Sequence, residues 1–275
     1  MAILFLPQEH KYVNIDPTET VEWTSVTSII SKFKGPFDAD EIALKSSKNK
    51  KGKWYGMSVD DIKEAWRNES QKAINLGTWY HNQRESDLLS CETISRGESI
   101  VPIVKPIDSN GHKVAPEQKL VDGIYPEHLV YLKSAGICGQ ADRVEVINGI
   151  VDIYDYKTNK EIKLESYVNW EGISNRMFAP VNHLDDCNIN HYALQLSFYM
   201  YMIIKHNHRL KPGKMVIEHI LFKEAGKDAY GNRVVLYDDF GQPVIEDIVQ
   251  YEVPYLKQEV INIINHMKDN ANQTI

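Results

Sequence analysis

An asparagine–glycine step at residues 148 and 149 constrains the fold of this 275-residue chain more than any other feature. Asn-Gly favours the two-residue turn that joins antiparallel strands, and a turn of that length fixes the register of both strands. Counting outward from the turn, one face pairs Val146 with Val151, Val144 with Ile153, Asp142 with Asp155, and Gln140 with Lys157. The apolar pairs mark this face as the one turned towards the core. The sequence therefore predicts two carboxylates directly opposite one another beside a hydrophobic layer.

Two opposed carboxylates beside apolar neighbours need a compensating charge. The Cβ atoms of opposed strand residues are about 4.5–5.5 Å apart, a distance at which like charges repel. Either one acid stays protonated or a divalent cation sits between the two, and Lys157 on the next rung adds positive charge. Two acids and a lysine in this arrangement suit metal-assisted attack on a phosphodiester. The alternative is a bulge that shifts the register, so that the acids point to solvent on opposite faces.

The segments ahead of the hairpin are predicted to be mainly helices and loops. Short extended segments are expected in residues 10–23. Capping signatures predict helices over Ser25–Phe33 and from Ser58 onwards, and Gly77 is expected to divide the second helix in two before it ends near Ser90. The lysine-dense segment Lys45–Trp54 and residues 97–123 are predicted as loops, the latter with an Asn110–Gly111 turn.

The segments after the hairpin complete an α/β or α+β pattern. A buried helix is predicted over residues 189–206, strands over 215–224 and 247–256, and a closing helix over Tyr255–Lys268 with Pro254 in its first turn. Helices, a cluster of strands, a long helix, further strands and a last helix favour one central mixed β-sheet flanked by helices.

Composition excludes several classes of protein. Apolar residues make up 43% and charged residues 25% of the chain, so extensive disorder and fibrous structure are excluded. A net charge of −7 argues against a protein coated in basic charge, although a local basic patch is compatible with it. Three dispersed cysteines cannot form a disulfide framework, a four-cysteine zinc site or an iron–sulfur cluster. Without a leader or a membrane-spanning stretch, the chain is expected to be soluble and cytoplasmic, with no membrane partner.

Spaced motifs around the hairpin give the chain a family resemblance. In order, they are Gly77-Thr78-x-x-His81 with Glu85, then Glu127, then Gly139-x-x-Asp142 and Asp155-x-Lys157, and finally Gln195-Leu196-x-x-Tyr199. This ordered set resembles the core of the PD-(D/E)XK nuclease superfamily, and more closely its RecB-like exonuclease branch. Within that branch the chain is similar to phage-encoded relatives of the mitochondrial genome maintenance exonuclease. It lacks the four-cysteine cluster of the iron–sulfur nucleases of CRISPR systems.

The resemblance implies a fold, a cofactor and a set of site residues. It implies a restriction-endonuclease-like core over residues 96–275, and an N-terminal helical region over 1–95 that forms part of the nucleic-acid cleft. It implies one or two Mg²⁺ or Mn²⁺ ions and no iron–sulfur cluster. The implied metal-binding residues are His81, Glu127, Asp142, Asp155 and, through its carbonyl, Tyr156. The implied catalytic residues are Asp142, Asp155, Lys157 as the catalytic lysine, and Gln195 and Tyr199, which position the phosphate or the lysine.

A lysine-rich segment is a candidate for binding the nucleic-acid backbone. Lysines combined with an aromatic residue can contact phosphates and stack on a base. The candidate residues are Lys48, Lys50, Lys51, Lys53, Trp54 and, further along the chain, Arg84. The alternative is that this run of charge is simply a solvated loop.

The function expected from the motifs is a divalent-metal-dependent deoxyribonuclease. We expect it to hydrolyse phosphodiesters from a strand end, on single-stranded or end-opened DNA, in phage or bacterial replication, recombination or repair. Other replication or recombination proteins are then expected partners. Two alternatives remain open: a non-cleaving nucleic-acid-binding protein on a degenerate nuclease core, and an unrelated metal-dependent hydrolase of small phosphoesters.

Overall fold

The computed structural model describes residues 3–6, 9, 11–109, 112–114 and 118–272. Its helices are α1 (Val26–Ser31), α2 (Ala39–Lys48), α3 (Val59–Leu89), α4 (Asn188–His206) and α5 (Lys257–Asn272). Its strands are β1 (Ile3–Leu6), β2 (Lys11–Asn14), β3 (Thr24–Ser25), β4 (Thr93–Arg96), β5 (Ser99–Pro102), β6 (Ile107–Ser109), β7 (His112–Val114), β8 (Gly123–Leu132), β9 (Ile137–Ile147), β10 (Ile150–Lys157), β11 (Lys211–Phe222), β12 (Glu224–Lys227), β13 (Arg233–Val235) and β14 (Ile245–Glu252).

One mixed sheet organises the chain. Its strands lie in the order β14-β11-β10-β9, with β8 paired along the other edge of β9. Strands β8, β9 and β10 form an antiparallel meander, β11 lies parallel to β10, and β14 is antiparallel to β11. The short strand β3 pairs in parallel with the start of β9. The prediction of a central mixed sheet flanked by helices is thereby confirmed.

The register predicted from the asparagine–glycine turn is confirmed. Strands β9 and β10 pair Ile147 with Ile150, and the ladder continues without a shift to Arg143 and Tyr154. Asn148 and Gly149 have φ angles of +52° and +76°, the left-handed conformation that a type I′ turn requires at both positions. The alternative in which a bulge reverses the faces of the hairpin is therefore wrong.

Helices α4 and α5 cover one face of the sheet. Val144, Val146 and Ile153 of the hairpin are fully buried there in one cluster with Leu196 of α4 and Ile263 of α5. Helix α4 agrees with the helix predicted over residues 189–206 to within one residue at its start. None of the helices in the described ranges is long and apolar enough to cross a membrane.

Helix α3 covers part of the opposite face. Tyr80 is buried and packs edge-on against Tyr156 of β10, with ring centroids 5.4 Å apart, beside Ile220 of β11. At 1.5 Å per residue, the segment of α3 that precedes Tyr80 is about 30 Å long. The N-terminal part of α3 therefore extends well past this contact with the sheet.

Gly77 does not divide the helix, contrary to the prediction. Helix α3 is continuous over 31 residues, because a single interior glycine costs only about 1 kcal/mol relative to alanine and tertiary packing outweighs it. A Cβ atom at position 77 would lie 3.3 Å from the Thr158 hydroxyl oxygen. Gly77 therefore marks the close approach of α3 to the segment that follows β10.

Two segments predicted as loops contain regular structure. The first part of Lys45–Trp54 belongs to α2, whose N-terminus is capped by Asp38. Residues 97–123 include β5, β6 and β7, since strands of three or four residues carry too little alternation to be recognised in one sequence. The predicted Asn110–Gly111 turn lies outside the described residues. Helix α5 begins at Lys257, so Pro254 precedes it instead of lying in its first turn.

The N-terminal region predicted as helical also contains strands. Strands β1 and β2 form a four-stranded sheet with β6 and β7, and β3 joins the central sheet. Ile29 and Ile30 of α1 are buried in the same core as α4. The predicted boundary at residue 95 is therefore crossed by both strand pairing and core packing.

Asn207 ends α4 and ties it to the segment ahead of β8. Its buried amide accepts a hydrogen bond from the Leu120 N–H (2.8 Å) and donates to the carbonyls of Gln118 (2.7 Å) and Ile203 (2.8 Å). We expect Asn207→Ala to lower the free energy of unfolding by about 2–3 kcal/mol, because buried backbone groups lose their partners. Urea denaturation measures this, with the exposed His208→Ala as control; equal effects in the two variants contradict the prediction.

Candidate metal centre

Three carboxylates form a row across three neighbouring strands. Glu127 lies in β8, Asp142 in β9 and Asp155 in β10. The registers of the two strand pairs, continued by one residue, place Glu127 opposite Asp142 and Asp142 opposite Asp155. Opposed residues of antiparallel strands point to the same face. Asp142 and Asp155 are buried, 8% and 1% exposed, and Glu127 is half-buried.

The row lies where β9 and β10 separate. The paired ladder between these strands ends at Arg143 and Tyr154, one residue before the two aspartates. Further along, Ile137 and Cys138 of β9 pair with β3 on one edge and with β8 on the other, so β3 occupies the edge that β10 has left. The fork between β9 and β10 opens beside the carboxylates, and side chains of α3 and α4 reach it.

His81 brings α3 to the first two carboxylates of the row. Its Nδ1 lies 3.4 Å from Glu127 Oε1 and 3.5 Å from Asp142 Oδ1. Candidate ligand atoms of these three residues all lie within 4.8 Å of one another, a spacing that a single metal ion can bridge. The other oxygen of Glu127 accepts a hydrogen bond from Gln140.

Glu127 has a strained backbone. Its φ of +48° lies in the left-handed region, which non-glycine residues rarely adopt. Such strain persists only where the surrounding structure imposes it, and it is concentrated at functional sites. The strain falls on the residue that contributes the outermost carboxylate of the row.

Asp155 is held between β10 and α4. Its Oδ2 lies 2.5 Å from the Lys157 ammonium, and its Oδ1 accepts a hydrogen bond from Gln195 (3.1 Å). The same Gln195 amide donates to the Tyr199 hydroxyl (3.2 Å). The Lys157 ammonium also lies 4.9 Å from the centre of the Tyr192 ring, an arrangement that favours the charged amine.

Tyr156 connects the two aspartates through its backbone. Its N–H donates to Asp142 Oδ2 at 2.6 Å, while its ring lies on the opposite face of the sheet against Tyr80. The phenol therefore takes no part in the row. A role for the Tyr156 carbonyl as a metal ligand stays a prediction.

The proximity of the carboxylates changes their proton affinity. Burial, and after it the charge of Asp155, raise the pKa of Asp142 to about 8. Burial disfavours the charged form of His81, but the charges of Asp142 and Glu127 outweigh it and raise the pKa of His81 to about 9. In the same way, Asp155 and Asp142 raise the pKa of the Lys157 ammonium despite its burial. Lys157 is therefore a positive charge at neutral pH.

The donor set suits a hard divalent cation. Carboxylate oxygens are the ligands that Mg²⁺ and Mn²⁺ prefer, and a single imidazole beside them is a common further ligand. At neutral pH the charges of the row are balanced partly by the protons that Asp142 and His81 retain, so a divalent cation would take the place of these protons. His81, Glu127 and Asp142 are placed to hold one ion, and Asp155 borders it.

Two of the residues predicted to contact nucleic acid, Lys53 and Trp54, pack against another part of the protein. Trp54 is only 9% exposed and packs against Trp66 and Tyr230, so little of its ring faces solvent, and its role in stacking on a base stays a prediction. Lys53 donates to the Asn232 side chain (2.7 Å) and lies over the Trp54 ring. This end of the lysine segment is docked on the β12–β13 hairpin and does not project freely.

The other basic residues predicted to contact nucleic acid lie on the surface. Lys48, Lys50 and Lys51 are exposed. Arg84, one turn after His81 on α3, pairs with Asp87 at 3.3 Å. Their contact with nucleic acid stays a prediction.

Three further residues at the site were given no role by the sequence. Gln140 was placed on the same face as the two aspartates, but only the structure shows that it contacts Glu127 and that Tyr192 contacts Lys157. Tyr12 of β2 packs against a buried cluster that includes Leu129 of β8, two residues after Glu127. No sequence signal identifies Tyr12, because tertiary folding brings it to the site from a distant strand.

Comparisons of the chain with protein families, with curated proteins and with solved structures give no match. The nuclease resemblance of the motifs therefore stays a prediction. The geometry of the acidic row is the basis on which a function is proposed.

In EDTA, the free energy of unfolding is expected to fall as the pH rises from about 6 to about 8. Asp142 has a pKa of about 8 in the folded state and 3.8 as its ordinary value, so over this range the folded state keeps a proton that the unfolded state has lost. The slope from this group approaches about 1.4 kcal/mol per pH unit. His81 acts in the same direction between pH 6.5 and about 9. Chemical denaturation at several pH values should show a flatter profile for Asp142→Asn; identical slopes contradict the assignment.

Gly139 is predicted to be required for the position of Tyr199. A Cβ atom at position 139 would lie 2.5 Å from Tyr199 Cε1, closer than real contacts allow. Gly139→Ala is expected to lower the free energy of unfolding by about 1–3 kcal/mol through overpacking. In a protein that already carries Tyr199→Ala, Gly139→Ala should cost little, because the clashing ring is gone. A double-mutant cycle measures this coupling between Gly139 and Tyr199. Additive effects of the two substitutions contradict the contact.

Proposed function

We propose that the protein is a divalent-metal-dependent nuclease that hydrolyses phosphodiester bonds of DNA. The observation that carries the proposal is the row Glu127–Asp142–Asp155 at the fork of β9 and β10, with His81 at one end and Lys157 at the other. Acidic ligands for a cation beside a fixed ammonium match the charge that develops on a phosphate under attack.

The roles of the residues follow from their contacts. Glu127, Asp142 and His81 would hold Mg²⁺ or Mn²⁺, with Asp155 at the border, and the ion when bound supplies polarisation of the phosphate. Lys157 carries a positive charge beside the phosphate and orients the attacking water by donating a hydrogen bond. The Lys157 ammonium is held 2.5 Å from Asp155 Oδ2, and we assign it to act through its charge.

Gln195 and Tyr199 act on Asp155 from α4. The Gln195 amide donates to Asp155 Oδ1 and to the Tyr199 hydroxyl, so one side chain fixes the orientation of both. Burial raises the pKa of Tyr199 well above its usual value, which keeps the phenol neutral. We assign both residues to positioning of Asp155 and, through it, of Lys157.

Residues 35–80 are held to the rest of the chain at three places. The Gly35 N–H donates to Asp186 Oδ2 (2.8 Å), and His81 lies 3.5 Å from Asp142 Oδ1. In between, Glu69 of α3 pairs with Lys160 at 2.5 Å. We propose that a single strand passes under this segment on its way to the carboxylates, which favours a substrate with a free end over a small phosphoester.

The test is hydrolysis of DNA labelled at the 5′ or the 3′ end, single- or double-stranded, with Mg²⁺ or Mn²⁺. We expect the parent protein to shorten the DNA, and Asp155→Ala and Lys157→Ala to be slower by at least about a hundredfold. Lys214→Ala, an exposed lysine of β11, is the matched control and should retain the parent rate.

Each other outcome selects an alternative. Binding of DNA in EDTA without cleavage after addition of metal favours a non-cleaving binding protein. Cleavage of nucleotides but not of polynucleotides favours a hydrolase of small phosphoesters. Parent-like rates for both site variants overturn the proposal. A role in replication, recombination or repair stays a prediction.

A further inference from the structure

A groove with a volume of about 490 Å³ opens between β2 and the junction of β3 with α1. Aromatic side chains line it at Tyr12 and Trp23, and hydroxyl groups line it at Ser25 and Ser28. Lys11 adds one positive charge and Glu22 one negative charge. A groove of this size is in the range of sites that bind small molecules or single units of a polymer.

The groove is adjacent to the acidic row. Tyr12 and Trp23, in its wall, pack against a buried cluster that includes Cys138 of β9 and Leu129 of β8, two residues after Glu127. Ser25 of β3 pairs with Cys138 of β9. The next residue of β9, Gly139, lies against the Tyr199 ring. A polymer held at the carboxylates therefore meets this groove within a short distance.

The groove is built in advance of any ligand. The Asn14 amide donates to the carbonyls of Glu19 (3.1 Å) and Val21 (2.9 Å), and its carbonyl oxygen accepts from the Trp23 indole (2.7 Å). One side chain thereby closes the connection between β2 and β3 and fixes an aromatic wall. A preformed site loses little entropy when a ligand binds.

The chemistry of the lining fits a nucleotide of a single strand. Aromatic side chains offer contact to a base, and hydroxyl groups with one lysine offer hydrogen bonds to sugar and phosphate. We propose that this groove is the subsite for the nucleotide next to the scissile phosphate of a single strand. The proposal rests on the proposed nuclease function and specifies where the substrate lies.

Charge substitutions at Ser28 test the subsite without disturbing the fold. Ser28 is exposed, and it lies three residues after Ser25, the N-cap of α1. Ser28→Glu therefore creates a capping box, which favours the helix, while it places a negative charge in the groove. Ser28→Lys places the opposite charge at the same position.

The measurement is the affinity for a fluorescein-labelled oligothymidylate, followed by anisotropy in Ca²⁺. We expect Ser28→Glu and Lys11→Glu to bind about tenfold more weakly or worse than the parent, and Ser28→Lys to bind at least as tightly. Lys268→Glu on the exposed side of α5, outside the groove, is the matched control and should bind like the parent. Parent-like affinity of both glutamate variants, or equal losses for Ser28→Glu and Ser28→Lys, overturns the proposal.

The failure of the subsite is distinguishable from the failure of the proposed function. Hydrolysis of bis(p-nitrophenyl) phosphate by the parent in Mn²⁺ tests the metal centre with a substrate too small to need the groove. If the parent hydrolyses neither this compound nor DNA, the proposed function fails, and the affinities still decide whether the groove binds a strand. If the parent hydrolyses DNA but does not bind the oligonucleotide, the subsite fails and the proposed function stands.

Discussion

Repulsion among Glu127, Asp142 and Asp155 is the constraint on which the rest of the structure depends. Three carboxylates on one buried face are costly unless each one finds a donor or a cation. The donors come from separate elements: His81 from α3, Gln140 from β9, Lys157 from β10 and Gln195 from α4. Contacts with these carboxylates therefore help to hold α3 and α4 at the fork of β9 and β10.

A second ionic network supports the row from behind. Arg143, the residue after Asp142, points to the opposite face and pairs with Glu145 and Glu218, each at 3.1 Å. Its guanidinium also donates to the Tyr156 hydroxyl (3.3 Å) and lies 3.9 Å from the centre of the Tyr154 ring. Buried ion pairs add little net stability, but removal of one partner is costly. This network fixes β9, β10 and β11 behind the carboxylates.

The sequence predicts those features of the structure that neighbouring residues determine, and it does not predict contacts between residues that are distant in the chain. The asparagine–glycine turn defines its own register, so the facing of Asp142 and Asp155 could be counted residue by residue. Glu127 could not be aligned in this way, because β8 and β9 are joined by a longer connection that fixes no register. The burial of Trp54 could not be predicted, because an aromatic residue among lysines suits both base stacking and burial, and its partner Tyr230 is distant in the chain.

The most direct test of a metal site at the acidic row is calorimetric titration of the metal-free protein with Mn²⁺ at neutral pH, in buffers of different ionisation enthalpy. A metal site at the acidic row predicts saturable binding that releases protons, because Asp142 and His81, with pKa values of about 8 and about 9, give up protons when they bind the cation. Asp142→Asn is then expected to release fewer protons than the parent and to bind more weakly. Absence of binding, or parent-like binding and proton release in Asp142→Asn, would contradict the central claim that the acidic row is a metal site.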